Sequence, residues 1–207
     1  MVISPTLFLK INLLLIVLFP YAKMFTNNSS NEAAAYGRAF VSSALFIIVY
    51  CVICFPDFTA AFKYNFPIEH IAGIFAASAC CLLLEGIIIY MRYGTIKIIK
   101  MKTTSLGILF FAFIGIPVLE EILYIAALHV LCTDIGIHDY FFVLLSGLAF
   151  GLGHLRYPKI NILTKTIWGI IFAALYILTK NIYMIIGAHM LNNSILALAG
   201  AIQRHRQ

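Results

Sequence analysis

Apolar runs of roughly membrane length recur along this chain, and they limit what it can fold into more than any other feature. The seven longest runs cover approximately residues 3–24, 39–55, 71–90, 105–131, 140–155, 166–179 and 182–202. A bilayer accepts runs of about 20 apolar residues as spanning helices. A soluble domain of 207 residues cannot bury a sequence that is 63% hydrophobic and only 11% charged. The sequence therefore predicts an all-α, multi-pass bundle of about seven transmembrane helices.

Basic residues in the gaps between the runs set the predicted orientation. The gap 91–104 holds four lysines and arginines, and the last four residues hold two more. Positive residues gather on the cytoplasmic side of membrane proteins. With seven crossings the basic gaps fall on one side, which predicts a cell-membrane protein with its N-terminus outside and its C-terminus in the cytoplasm. The net charge of +6 has this origin, so nucleic acid is not an expected partner.

The runs are expected to form one integrated membrane domain in two parts. Residues 1–104 would supply the first three helices and a basic cytoplasmic loop, and residues 105–207 would supply the last four helices. Residues 156–165 are basic and polar, which predicts a second cytoplasmic loop between the fifth and sixth helices. Trp168, near the predicted start of the sixth helix, is expected to anchor that helix at the membrane interface.

Two adjacent carboxylates, Glu120 and Glu121, interrupt the fourth apolar run. A charged side chain at bilayer depth costs several kcal/mol, so an intramembrane acid indicates function. Neighbouring residues on an α-helix point about 100° apart, so one glutamate is expected to reach a shared centre and the other to be held by surrounding groups. Gly115 and Pro117 precede the pair and are expected to break the helix there.

Polar residues also recur on two later apolar runs. Phe150 and His154 are four residues apart, as are His189 and Asn193, so each pair shares one face of its helix. Such groups can hydrolyse a peptide bond without a covalent intermediate. A glutamate shielded from bulk water can act as general base, with a neutral histidine holding the same water. A His/Asn pair on a facing helix can then stabilise the oxyanion by hydrogen bonds.

These three motifs, in this order on successive apolar helices, resemble those of the CPBP family of intramembrane proteases, which includes the CAAX prenyl protease 2 type and the bacteriocin-immunity-like proteins. The resemblance covers approximately residues 105–201. It implies a helical membrane protease in which Glu120 activates water with His154, while His189 and Asn193 form the oxyanion site. The predicted catalytic residues are Glu120, Glu121, His154, His189 and Asn193.

One position departs from the family pattern. The first motif usually reads Glu-Glu-x-x-x-Arg, and Ile125 occupies the arginine position here. Glu121 must then be neutral, bound to water or paired elsewhere, with Arg156 and Tyr124 as the nearest sequence candidates. No cofactor is predicted, although two histidines and a carboxylate are also ligands that zinc accepts.

The predicted function is an intramembrane endopeptidase that acts on a peptide or protein presented at the lipid bilayer. A catalytically inactive scaffold or immunity protein of the same fold is the alternative, which the missing arginine favours, and a proton-coupled transporter is a third. Glu85, also in an apolar run, is expected to line the same cavity or pair with a basic group rather than catalyse. Gly147 and Gly151 predict close packing within the bundle in preference to dimerisation.

Overall fold

The computed structural model describes residues 67–95, 111–155 and 158–205, with isolated residues at 8–10, 12, 41, 45 and 62. This part of the chain is all-helical and contains no strand, as predicted. Its α-helices are α1 (Glu69–Tyr93), α2 (Ile116–Glu121), α3 (Leu128–Asp134), α4 (Asp139–Leu152), α5 (Lys159–Thr179) and α6 (Ile182–His205). The π-helical segments Phe111–Gly115 and Ile122–Ala127 flank α2. Residues 111–134 therefore form one continuous helix, which we call the glutamate helix.

Four of the described helices are long and apolar enough to cross a membrane: Glu69–Tyr93, Phe113–Asp134, Lys159–Thr179 and Ile182–Ala199. The helix α4 is apolar but shorter, at 14 residues. The chain is thus a multi-pass membrane protein. Seven spanning helices are not confirmed, because the predicted runs 3–24 and 39–55 lie almost wholly outside the described residues. The cytoplasmic C-terminus and the division at residue 104 stay predictions.

The glutamate helix is the most enclosed of the spanning helices. In its 18-residue apolar stretch, 56% is buried within the protein, against 22% for α1 and 33% for α5 and for α6. Leu123 and Leu128 are fully buried, and they share one core with Phe142 of α4 and Phe172 of α5. The other helices therefore surround the segment that carries the paired glutamates.

A seam of glycines brings α4 and α5 together. A Cβ atom added at Gly147 would lie 2.9 Å from the carbonyl oxygen of Thr166, and one at Gly151 would lie 2.9 Å from that of Ile162. Real side chains do not tolerate such distances, so only glycine permits this approach of the two backbones. The prediction that Gly147 and Gly151 serve packing within the bundle is confirmed.

The predicted loop 156–165 is largely wrong, because α5 already begins at Lys159. The polar residues that suggested a loop are accommodated in the helix. Thr164 donates a hydrogen bond from its hydroxyl to the carbonyl oxygen of Asn161 at 3.1 Å, and the ammonium of Lys165 lies over the Trp168 ring. The sixth predicted helix therefore starts about two turns earlier than its apolar run indicates.

Trp168 is not an interfacial anchor, so that prediction is also wrong. Its side chain is fully buried, and Nε1 donates a hydrogen bond to the carbonyl oxygen of Cys81 on α1 at 3.3 Å. The earlier start of α5 explains the error, since it moves Trp168 from the end of a helix to its interior. A buried indole needs such an acceptor for its N–H.

Candidate active site

The paired glutamates lie on a short α-helical segment between two π-helical ones. The sequence predicted a break in the helix at Gly115 and Pro117, and this is wrong. The helix continues through both residues and changes its hydrogen-bond register on both sides of α2. Pro117 lies in the first turn of α2 and has no backbone N–H to continue the preceding ladder, which accounts for the change before it. Single π-helical turns of this kind occur frequently at functional sites.

Glu121 and His189 form a short polar contact at the centre of the site. Glu121 Oε1 lies 2.6 Å from His189 Nδ1, and the two side chains are only 2% and 3% exposed. This contact joins α2 to α6 across the centre of the bundle. At this depth neither group can exchange its partner for bulk water, so the contact fixes the orientation of the imidazole.

Glu120 faces the opposite nitrogen of the same ring. Its Oε2 lies 3.8 Å from His189 Nε2, beyond hydrogen-bond distance, and its side chain is 23% exposed. His189 therefore lies between the two glutamates. The sequence predicted that one glutamate would reach a shared centre and the other would be held beside it; here both meet His189, and Glu120 is the more accessible.

Aromatic rings enclose His189 on its remaining sides. The centroid distances to its ring are 5.6 Å for Phe150, 5.9 Å for Phe172 and 6.1 Å for Trp168. Phe150 and Trp168 approach it edge to face, a favourable arrangement for aromatic pairs. The imidazole is thus held by packing as well as by Glu121.

His154 lies in the turn that follows α4, in ring contact with Phe150 at a centroid distance of 5.1 Å. Its Nδ1 lies 2.8 Å from the carbonyl oxygen of Phe150. A carbonyl oxygen only accepts, so Nδ1 carries the proton, and in a neutral ring Nε2 keeps its lone pair. Phe150 touches both histidines, which brings His154 and His189 to one neighbourhood.

Asn193 follows His189 by one turn of α6 and is half-buried. Sequence reasoning missed its neighbour Asn192, which is fully buried. Asn192 Oδ1 accepts a hydrogen bond from the hydroxyl of Ser78 on α1, while its Nδ2 has no hydrogen-bond partner among the described residues. The spacing of three residues from His189 was the available signal, since it also places Asn192 near that face.

Ile125, which occupies the position of the family's arginine, lies in the core. It is 1% exposed and packs among other buried apolar residues. The sequence left Glu121 neutral, bound to water or paired with another residue. In the structure Glu121 is paired, and its partner is His189. Arg156 lies outside the described residues, and Tyr124 packs against Phe150 at a ring distance of 5.6 Å.

Glu85 of α1 pairs with a basic group, as expected. Its Oε2 lies 3.8 Å from Nζ of Lys165 on α5, and the two side chains are 12% and 13% exposed. Lys165 belonged to the predicted loop and so was not considered for the site. An intramembrane acid such as Glu85 requires a nearby cation. That requirement was the signal in the sequence that could have identified Lys165.

A zinc ion would need three or more suitable side chains placed around one point. Histidines and carboxylates are the right donor types, but no group of three or more His, Cys, Asp or Glu side chains in the described residues fits a metal ion. The arrangement as it stands is one of hydrogen bonds and acid–histidine contacts.

Comparison with known proteins agrees with the motifs. Residues 102–195, slightly less than half of the chain, match the family described as type II CAAX prenyl endopeptidase, Rce1-like. The matched region contains all five predicted catalytic residues, and it confirms the resemblance to the CPBP family. No curated protein and no solved structure shows significant similarity to the chain.

Proposed function

We propose, on the premise that residues 102–195 are a region of the Rce1-like CAAX endopeptidase family, that the chain is an intramembrane endopeptidase. Its substrate would be a membrane-presented peptide or protein that ends in a prenylated CAAX sequence. The observation that carries the proposal is the placement of His189 between Glu121 and Glu120, with Glu120 partly open. This arrangement can hold and activate one water molecule without a covalent intermediate.

Glu121 acts as the residue that orients His189. Burial at this depth favours the neutral carboxylic acid, so Glu121 donates its O–H to Nδ1 of His189 across the 2.6 Å contact. The neutral ring then carries its proton on Nε2, which faces Glu120. A carboxyl group that fixes the tautomer of a functional histidine in this way is a common supporting element of active sites.

The attacking water lies between His189 and Glu120. Nε2 and Oε2 are 3.8 Å apart, so one water can accept the Nε2–H and donate an O–H to Oε2, each at about 2.8 Å. In the neutral ring, Nε2 of His154 offers a further lone pair in this neighbourhood. The proposal thus keeps the predicted contribution of His154 and adds His189 to the groups that hold the water.

The reaction then proceeds by general acid–base catalysis at Glu120. The water oxygen bonds to the carbonyl carbon of the scissile peptide while one proton passes to Glu120. When the tetrahedral intermediate collapses, the C–N bond breaks and Glu120 returns that proton to the leaving amine. The oxyanion requires N–H donors, and the amide of Asn193 and the Nε2–H of His189 are the groups we assign to it. These are the two residues that the family resemblance implies.

Co-expression with a prenylated CAAX substrate tests the proposal. Membranes with the wild-type chain should release the C-terminal residues, whereas Glu120→Gln should lower the rate about 10²- to 10⁴-fold, the usual contribution of a general base. Glu69→Gln is the matched control, since Glu69 is an exposed glutamate at the start of α1. Equal cleavage by wild type and Glu120→Gln would favour the inactive-scaffold alternative. Loss of cleavage on strong chelation would contradict the metal-free steps.

A further inference from the structure

Lys165 is a buried cation beside the candidate active site. It lies in the membrane-spanning helix α5, and its side chain is only 13% exposed. Its Nζ lies 3.2 Å from the centroid of the Trp168 ring, close enough for a strong cation–π contact. A buried ammonium in a spanning helix is costly and indicates a function.

The partners of this ammonium leave part of its hydrogen-bonding capacity unused. Glu85 Oε2 is 3.8 Å from Nζ, too far for a hydrogen bond, and has no hydrogen-bond partner among the described residues. An ammonium carries three N–H donors, and the Trp168 face occupies one direction only. An ion pair that served only to join α1 and α5 would gain most by closing to direct contact. The looseness instead suits an ammonium that also binds a third, anionic group.

The ammonium and the catalytic centre share one indole ring. Trp168 contacts both, with Nζ 3.2 Å from its ring centroid and the His189 ring at a centroid distance of 6.1 Å. These contacts place Nζ at most roughly 9 Å from the centre of the His189 ring, a distance that two or three extended peptide residues span.

We propose that Lys165 binds the C-terminal carboxylate of the substrate and thereby sets how far from the C-terminus the chain cuts. This inference rests on the proposed peptidase function. An ammonium–carboxylate contact within roughly 9 Å of the His189 ring selects bonds no more than two or three residues from a free C-terminus. Glu85 pairs loosely with the ammonium until the substrate carboxylate binds it.

Two forms of one substrate test this directly. The probe is a fluorogenic peptide that ends in farnesyl-Cys-Ala-Ala-Ser, prepared with a free C-terminal carboxylate and with a C-terminal amide. The wild-type chain should favour the free acid in kcat/KM by about 10- to 100-fold, as expected for a charge-assisted hydrogen bond. The preference should lie mainly in KM, because the carboxylate is remote from the reacting bond.

Substitutions of Lys165 test whether this residue is the source of the preference for the free-acid peptide. Lys165→Met should lower kcat/KM for the free acid to the level of the amide and leave the amide unchanged, while Lys165→Arg should retain much of the preference. Lys159→Met is the matched control, since Lys159 is an exposed lysine at the start of the same helix. Equal losses for both peptides in Lys165→Met would assign the lysine a purely structural role and overturn the proposal.

Binding separates this inference from the proposed function. In a Glu120→Gln background, which should bind but not cleave, the free acid should bind more tightly than the amide by a similar factor, and Lys165→Met should remove the difference. Cleavage of both peptides at equal rates by wild type would overturn the role of Lys165 while the peptidase function stands. Absence of cleavage together with a Lys165-dependent binding preference would overturn the peptidase function and support the carboxylate site.

Discussion

Two glutamates of the described helices, Glu121 and Glu85, are held against basic side chains in opposite ways. Glu121 meets His189 at 2.6 Å, whereas Glu85 stays 3.8 Å from Lys165. Both pairs join separate helices in the same region of the bundle, linked through Trp168. The tight pair fixes an orientation, and the loose pair leaves a charge with unused donors.

The chemistry of the basic groups explains why the two pairs differ. His189 has a short, rigid side chain, and three aromatic rings confine it, so Glu121 can be aligned with one nitrogen. Lys165 carries its ammonium on a flexible stem and rests on the Trp168 face. A rigid partner suits a group that orients a reacting water, and a flexible partner suits a group that binds a substrate end.

The tight pair should give the largest effect when it is broken. Glu121→Leu removes the carboxyl group at a similar side-chain volume, so His189 loses the partner that fixes its tautomer. We expect kcat to fall about 100-fold, as for other residues that orient a functional histidine. Steady-state cleavage of the farnesylated peptide by the purified chain measures this. Unchanged kcat would mean that the contact serves packing alone.

The loose pair should respond in the opposite direction. Glu85→Gln removes the carboxylate that competes for the ammonium of Lys165, so the KM for the free-acid peptide should fall roughly threefold with little change in kcat. The amide peptide provides the internal control, because its binding does not use the ammonium. A rise in KM for the free acid would show that Glu85 supports the binding site instead of competing for it.

An exposed group of three charged or titratable side chains at the opposite end of the bundle should have the smallest effect. Asp139 lies 3.6 Å from His129 Nε2 and 3.9 Å from Lys180 Nζ, with a side chain that is 45% exposed. Asp139→Asn should change the free energy of unfolding by less than about 1 kcal/mol, the usual value of a solvated ion pair. Thermal unfolding of the solubilised chain and its cleavage rate check this. Loss of activity would extend the functional site to that end.

Sequence reasoning found the groups that stand out against an apolar background. Glu120 and Glu121 interrupt a spanning run, and the helical spacing of His189 and Asn193 marks a shared face. The structure brings both glutamates and His189 into contact and places His154 beside Phe150. The detailed roles of these residues stay proposals.

Other features depend on information that the apolar pattern does not carry. The π-helical turns around α2 change the hydrogen-bond register without changing hydropathy, so the sequence suggested a break in place of a continuous helix. Lys165 and Trp168 were assigned to a loop and an interface because polar residues near 159 concealed the start of α5. The burial of Lys165 depends on its partner Glu85 on α1, which is distant in the sequence.

Single-turnover cleavage by the purified full chain in lipid nanodiscs tests the central claim most directly, with wild type, Glu120→Gln and Glu69→Gln measured on the same farnesylated peptide. Because Glu120 is proposed to take and return the proton, its amide variant should bind the peptide normally and cleave it at least about 100-fold more slowly. Glu69→Gln should match the wild type. Cleavage at the wild-type rate by Glu120→Gln would contradict glutamate-activated hydrolysis at this site.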